Sequence, residues 1–170
     1  MLIRTKTEAD ATACLELLLQ VHERDGYPLH IGPEDVPAFF FSGREVAAWV
    51  AELDGRIVGH VALHWTPGYP TLAAAQRAIG RPAEDLLLVA RLFVAPDLRG
   101  TGLGRDLLRL ATGHAQSLGR RAVLDVGQTL SAAVALYESE GWSRVDDLHH
   151  ALDQDTMLDL WVYVSPEPPS

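Results

Sequence analysis

The chain has 170 residues, 48% of them apolar, with a single cysteine and a formal net charge of −9. One domain of this length can bury a sizeable core, and a lone cysteine excludes an intrachain disulfide or a thiolate-rich metal site. The acidic balance argues against a nucleic-acid partner and favours amine-bearing ones, while the short apolar runs exclude a membrane span.

The start, MLIRTKTEADA, lacks the apolar stretch of a secretory signal, so a cytoplasmic setting is expected. Asp10 to about His22 predicts a helix with Leu15, Leu18 and Leu19 on its apolar face, Asp10 as its cap, and Gly26 and Pro28 beyond its end. Cys14 on that helix is expected to fill the core. A short helix is expected around Asp35 to Phe40. Val46–Leu53 and Arg56–Trp65 flank Asp54-Gly55, the pattern of a tight hairpin. Thr66 to Pro70 stops the second strand, and Leu72 to Ile79 predicts a short helix closed by Gly80.

Leu86 to Val94 is apolar almost throughout, as in a strand buried on both faces; only Arg91 departs. Leu103, Leu107, Leu110, Ala111 and Leu118 then follow helical spacing up to Gly119, and Ala122 to Val126 predicts another strand. Strand, helix and strand in that order imply that part of the sheet is parallel. A helix over Leu130–Glu138 and strands over Trp142–Val145 and Thr156–Val164 complete the expectation. Residues 1–164 then make one domain and 165–170 a flexible tail. His149, His150 and Asp153 read as a solvated loop, and no metal is expected.

The most informative stretch is RLFVAPDLRGTGLG, Arg91 to Gly104. A strand meets a Pro-Asp turn, then an arginine and three glycines at alternate positions, where a helix begins. Helix-start amides lack intrahelical acceptors, so this loop could gather N–H groups and the Arg99 guanidinium around a diphosphate. A Walker A loop would need lysine after its last glycine, where Arg105 stands. A dinucleotide fingerprint would need GxGxxG rather than GTGLG, although Asp125 lies where a ribose-binding acid would, so NAD-linked oxidoreduction is one alternative. A glycine-rich turn with no ligand is another.

The whole combination resembles the GNAT (GCN5-related N-acetyltransferase) family. Leu92-Phe93-Val94 followed by Arg99-Gly100-Thr101-Gly102-Leu103-Gly104 fits its (R/Q)xxGx(G/A) loop. Ala133, Leu136-Tyr137 and Gly141-Trp142 match its later segment. The resemblance implies an α/β (α+β mixed) fold: a mostly antiparallel sheet of about six or seven strands flanked by helices, with two central strands splayed apart. It implies acetyl-CoA as cosubstrate. Backbone groups at Leu92, Phe93 and Val94 would hold pantetheine and help polarise the thioester; residues 99–104 with Arg105 would hold the pyrophosphate. Tyr137 matches the tyrosine placed near the cofactor sulfur. Leu130 stands where many members have asparagine.

Direct attack by a neutral amine in a ternary complex needs no enzyme nucleophile, only an oriented thioester and a proton for the departing thiolate. Tyr137 is the expected general acid. Glu84, Asp85, His60 and His64 are base candidates, the two histidines sharing a strand face. Arg91 is expected either near the strand splay or paired with an acid, and Asp125 either at the border of the cleft or in a structural turn. The acceptor is expected to be the amine of a small molecule or peptide, and Tyr27, His30, Phe39, Phe40, Phe41 and Tyr69 form either an apolar lining for it or a buried packing cluster. A homodimer is compatible with this reading. A non-catalytic acyl-CoA-binding module is the competing function.

Overall fold

The computed structural model describes residues 1–168. In chain order the elements are β1 (Leu2–Thr5), α1 (Ala11–Asp25), α2 (Val36–Phe41), β2 (Glu45–Leu53), β3 (Arg56–His64) and α3 (Pro70–Ile79). They continue with β4 (Leu86–Val94), α4 (Leu103–Ser117), β5 (Arg121–Gly127), α5 (Ser131–Ser139), β6 (Ser143–Ala151) and β7 (Met157–Val164). The seven strands run in the order β1-β2-β3-β4-β5-β7-β6. β1–β2, β2–β3, β5–β7 and β6–β7 pair antiparallel, and β4–β5 pair parallel through Leu86–Leu88 and Arg121–Val123.

The described chain divides into two compact units. The first comprises Met1–His64 and Ala90–Ala111. A single tight turn, Glu8–Asp10, leads into its α1 and opens on a capping box in which the Asp10 carboxylate accepts from the Thr7 N–H at 2.7 Å; Asp10 makes no side-chain cap bond to α1 itself. The Arg4 guanidinium holds the same carboxylate with two bonds of 2.8 and 2.9 Å and keeps it well below the usual carboxylate range. Gly26 ends α1 in the left-handed conformation at φ 75°. The buried face is Cys14, Leu17, Leu18 and Val21, so of the expected Leu15, Leu18 and Leu19 only Leu18 lies on it. This stripe keeps the i, i+3, i+4, i+7 spacing; Leu15 and Leu19 lie half-buried at its sides. Burial raises the Cys14 thiol to about 11, as expected of a core residue.

The β2–β3 hairpin turns at Asp54 and Gly55, with φ 51° and 76°. Both values are positive, as a type I′ turn requires, and Leu53 pairs with Arg56. β1 was not expected: its four residues are exposed or half-buried and show no apolar alternation, yet Ile3 pairs with Ala51 and Arg4 with Val50.

The second unit comprises Trp65–Val89 and the chain from Thr112 onward. Leu72, Leu86, Leu87, Leu124, Val162 and Tyr163 are wholly or almost wholly buried there. β6 runs six residues past the expected Val145, to Ala151. It is an edge strand, and Asp146, Asp147, His149 and His150 along it are polar and partly exposed, which hid it from hydrophobic patterning. The segment expected as a tail starts at buried Ser165, whose N–H donates to Ala122 O at 2.9 Å; its last two positions lie outside the described residues.

Candidate functional site

In the first unit, β4 delivers Leu92, Phe93 and Val94 to the glycine loop, with Phe93 buried and its neighbours half-buried. Ala95 stays tied to β3 through its N–H on Val58 O at 2.8 Å. Pro96 then opens a single tight turn, and the Thr101 hydroxyl donates back to Leu98 O at 2.7 Å. Gly100 and Gly102 have φ of 78° and 88°, a region that favours glycine. α4 begins at Leu103, and its first turn closes with Asp106 N–H on Gly102 O at 3.0 Å. A Cβ at Gly100 or Gly102 would meet no atom within 4 Å. The glycines therefore serve backbone conformation rather than close packing, and the positions a Cβ would take there are open. The Arg99 guanidinium pairs with the Asp25 carboxylate at the end of α1.

The loop's position depends on Gly59 of β3. A Cβ there would stand 2.9 Å from Leu107 Cδ1 and 3.3 Å from Leu103 Cδ2, so the missing side chain lets the start of α4 lie close to the strand.

Arg91, within β4, has φ 54°. A non-glycine residue in this region costs about 1–3 kcal/mol and persists only where its surroundings enforce it. The Arg91 carbonyl accepts from His60 Nδ1 at 2.7 Å. Its Nη2 donates to Phe39 O at 3.0 Å and to Ser42 Oγ at 2.8 Å, with the guanidinium carbon 4.0 Å from the Phe39 ring centroid. The Arg91 side chain thus binds the end of α2 rather than an acid, and its Nε is buried without a hydrogen-bond partner.

His60 and His64 are both buried, and burial lowers each to about 4. His60 stacks on Phe93 at 5.0 Å and meets the Phe40 ring edge-on at 5.4 Å. Its Nε2 lies 3.4 Å from Lys6 Nζ, which pairs with Glu45 at 2.5 Å. Sequence reasoning missed Lys6, Glu45 and Ser42; the only signal was a lysine at the end of an unrecognised strand. Of the expected aromatic lining, Tyr27 meets Phe39 edge-on at 5.9 Å, Phe40 is buried and Phe41 is exposed.

In the second unit, Tyr137 is 8% exposed and lies on α5. Its ring centroid is 6.1 Å from Trp142 and 6.0 Å from Tyr163. The chain turns back after α5 through Gly141, at φ 80°, and the Trp142 N–H donates to the Tyr137 carbonyl at 3.1 Å. The motif's tyrosine, glycine and tryptophan therefore form one packed corner. Leu130 occupies the position before α5 with no side-chain cap. Asp125, on β5, accepts from the Thr71 hydroxyl at 2.6 Å. Of the other base candidates, Glu84 is exposed and Asp85 pairs with Arg81 at 3.4 Å.

His149 and His150 lie on β6, not in a loop. His149 sits between Asp147 at 2.9 Å and Asp159 at 2.6 Å, and these two hydrogen bonds raise its pKa. The Asp153 carboxylate closes the following turn on the N–H groups of Asp155 and Thr156. Among the described residues, no group of three or more His, Cys, Asp or Glu could hold a metal ion, and no helix is long and apolar enough to cross a membrane.

The model of the acetyltransferase (GNAT) family matches residues 13–142. The mycothiol acetyltransferase of Geodermatophilus obscurus is 35% identical over 118 residues, which are 69% of this chain and 31% of that protein. N-acetyltransferase 8 of Mus musculus is 31% identical over 120 residues, 70% of this chain and 48% of that protein. The chain thus spans a third to a half of these relatives' lengths. An N-acetyltransferase from Staphylococcus aureus Mu50 superposes with a TM-score of 0.71 at 17% identity over 96% of each chain. A protein from Salmonella typhimurium solved with its cofactor acetyl-CoA superposes at 0.68, with 17% identity, over 100% of this chain and 98% of that one.

Proposed function

Since the chain belongs to the GNAT acetyltransferase family, we propose that residues 1–164 act as one domain that transfers acetyl from acetyl-CoA to a primary amine of a small molecule or peptide. The observation that carries this reading is the loop at the start of α4, where two left-handed glycines leave open space beside helix-start amides. The amides of residues 99–104, with Arg105 nearby, bind the pyrophosphate. The backbone of Leu92–Val94 binds the pantetheine arm and orients the thioester. Leu130 offers no side-chain hydrogen bond to that arm, so the backbone carries its binding.

In the ternary complex the neutral amine attacks the thioester carbon. A C–N bond forms, the C–S bond breaks, the thiolate leaves with a proton from Tyr137, and the proton lost by the amine nitrogen restores the tyrosine. The buried setting of Tyr137 against Trp142 and Tyr163 suits a proton donor shielded from bulk water. His60 is not the base of this scheme, because its ring is wholly buried and its Nε2, the nitrogen left to accept a proton, faces the Lys6 ammonium at 3.4 Å. A cytoplasmic location suits the buried, unpaired Cys14 thiol.

Labelled acetyl-CoA incubated with the protein and a metabolite extract, resolved by mass, identifies the acceptor. Tyr137→Phe is then expected to lower turnover by roughly 100-fold while leaving acetyl-CoA affinity nearly intact; an unchanged rate contradicts the assignment. Saturable acetyl-CoA binding without transfer to any amine, peptide or protein terminus would favour a non-catalytic acyl-CoA module instead.

A further inference from the structure

Three features of β4 and its neighbours have no part in the chemistry described so far. Arg91 is held in a left-handed conformation inside a strand. Its carbonyl accepts from the side chain of His60 at 2.7 Å. The His60 ring is itself wholly buried and stacks nearly parallel, at 16°, on Phe93, two residues beyond Arg91.

A carbonyl oxygen only accepts, so the His60 proton sits on Nδ1. Nε2 then presents a lone pair toward the Lys6 ammonium at 3.4 Å, and Lys6 is anchored in turn by Glu45. The imidazole is thereby fixed in one tautomer and one orientation by contacts at both nitrogens and by rings on two sides. Fixing the Arg91 carbonyl fixes the peptide plane that also contains the Leu92 N–H. A left-handed residue re-aims the main chain after it, and the guanidinium bonds to Phe39 and Ser42 prevent Arg91 from swinging back to an extended conformation.

We propose that His60 is a positioning residue for acetyl transfer: it locks the left-handed turn at Arg91 and so aims the main-chain N–H groups of Leu92–Val94 at the thioester carbonyl. The proposal rests on the acetyl-CoA reading of β4. It assigns His60 no proton transfer and no contact with substrate. Its effect falls on the acetyl end of the ligand, whereas the CoA portion is held by the glycine loop.

Isotope-edited infrared spectra of acetyl-CoA carrying carbon-13 at the thioester carbonyl test this. Bound to the unsubstituted protein, the carbonyl stretch is expected below its free-solution frequency. His60→Phe keeps a ring against Phe93 and deletes the donor. Its stretch should return toward the free value while the Kd for CoA changes by less than about threefold. His60→Asn, which restores a donor near the Nδ1 position, should recover the lowered stretch. An undiminished shift in a folded His60→Phe variant overturns the proposal, as does an equal loss of shift in His60→Asn and His60→Phe. Should His60→Phe not fold, nitrogen-15 spectra of the unsubstituted protein decide. A proton on Nδ1 of His60 near neutral pH supports the proposal, and a proton on Nε2 alone overturns it. Failure of the unsubstituted protein to bind acetyl-CoA would instead remove the acetyl-transfer reading itself.

Discussion

Gly102→Ala separates what the loop glycines do for folding from what they do for ligand binding. The position has φ 88°, and an added Cβ would meet nothing within 4 Å. The cost to the free protein is therefore conformational alone, about 1–2 kcal/mol for an L-residue in the left-handed region. For a chain of this size that lowers Tm by roughly 2–8 °C. The methyl group would stand in the space assigned to the pyrophosphate. Losing one charge-assisted amide–phosphate bond costs about 1.5–3 kcal/mol, a rise in Kd of roughly 10- to 150-fold. Gly80→Ala supplies the control, because Gly80 is also left-handed, at φ 67°, also faces open space, and ends α3 in the other unit. Calorimetric titration with acetyl-CoA, paired with thermal melts, should give similar Tm losses for both variants but weakened binding for Gly102→Ala alone. Unaltered acetyl-CoA affinity in Gly102→Ala would refute the assignment of this loop.

Gly59→Ala should destabilise the protein by about 1–3 kcal/mol through overpacking against Leu107 and Leu103, seen as a lower urea midpoint; an unchanged midpoint contradicts the close approach of α4 to β3. Acid should weaken the fold through His60 and His64. Their folded values near 4 lie below the ordinary 6.5, so between those pH values the unfolded chain binds more protons. Their stabilising effect is complete above pH 6.5 and falls by about 1.4 kcal/mol per pH unit for each histidine down to pH 4. Urea midpoints at pH 7 and pH 5 read this out, and equal midpoints contradict it. His149, raised rather than lowered, acts in the opposite sense but lies exposed.

The parts of the fold legible in the sequence are those written in local chemistry. Asp54-Gly55 announces its turn, Gly80 and Gly119 end their helices, and Leu86–Val94 reads as a buried strand with matching boundaries. The glycine loop and the Tyr137–Trp142 corner were legible as motifs for the same reason. What escaped depends on pairing over long sequence separations. β1 is stabilised by β2, whose partner residues lie more than forty positions away, and nothing in LIRT itself signals a strand. β6 carries polar residues along an edge. On α1, Cys14 and Leu18 are buried as expected, whereas Leu17 and Val21 complete the face in place of Leu15 and Leu19. Arg91 stood out in the sequence as an interruption, but neither its left-handed backbone nor its bond to His60, thirty-one residues earlier, follows from spacing.

Binding of acetyl-CoA by the unsubstituted protein tests the central claim most directly. Titration calorimetry is expected to give one saturable site that CoA competes for and NAD does not. An absence of acetyl-CoA binding, or competition by NAD in place of CoA, would contradict the account.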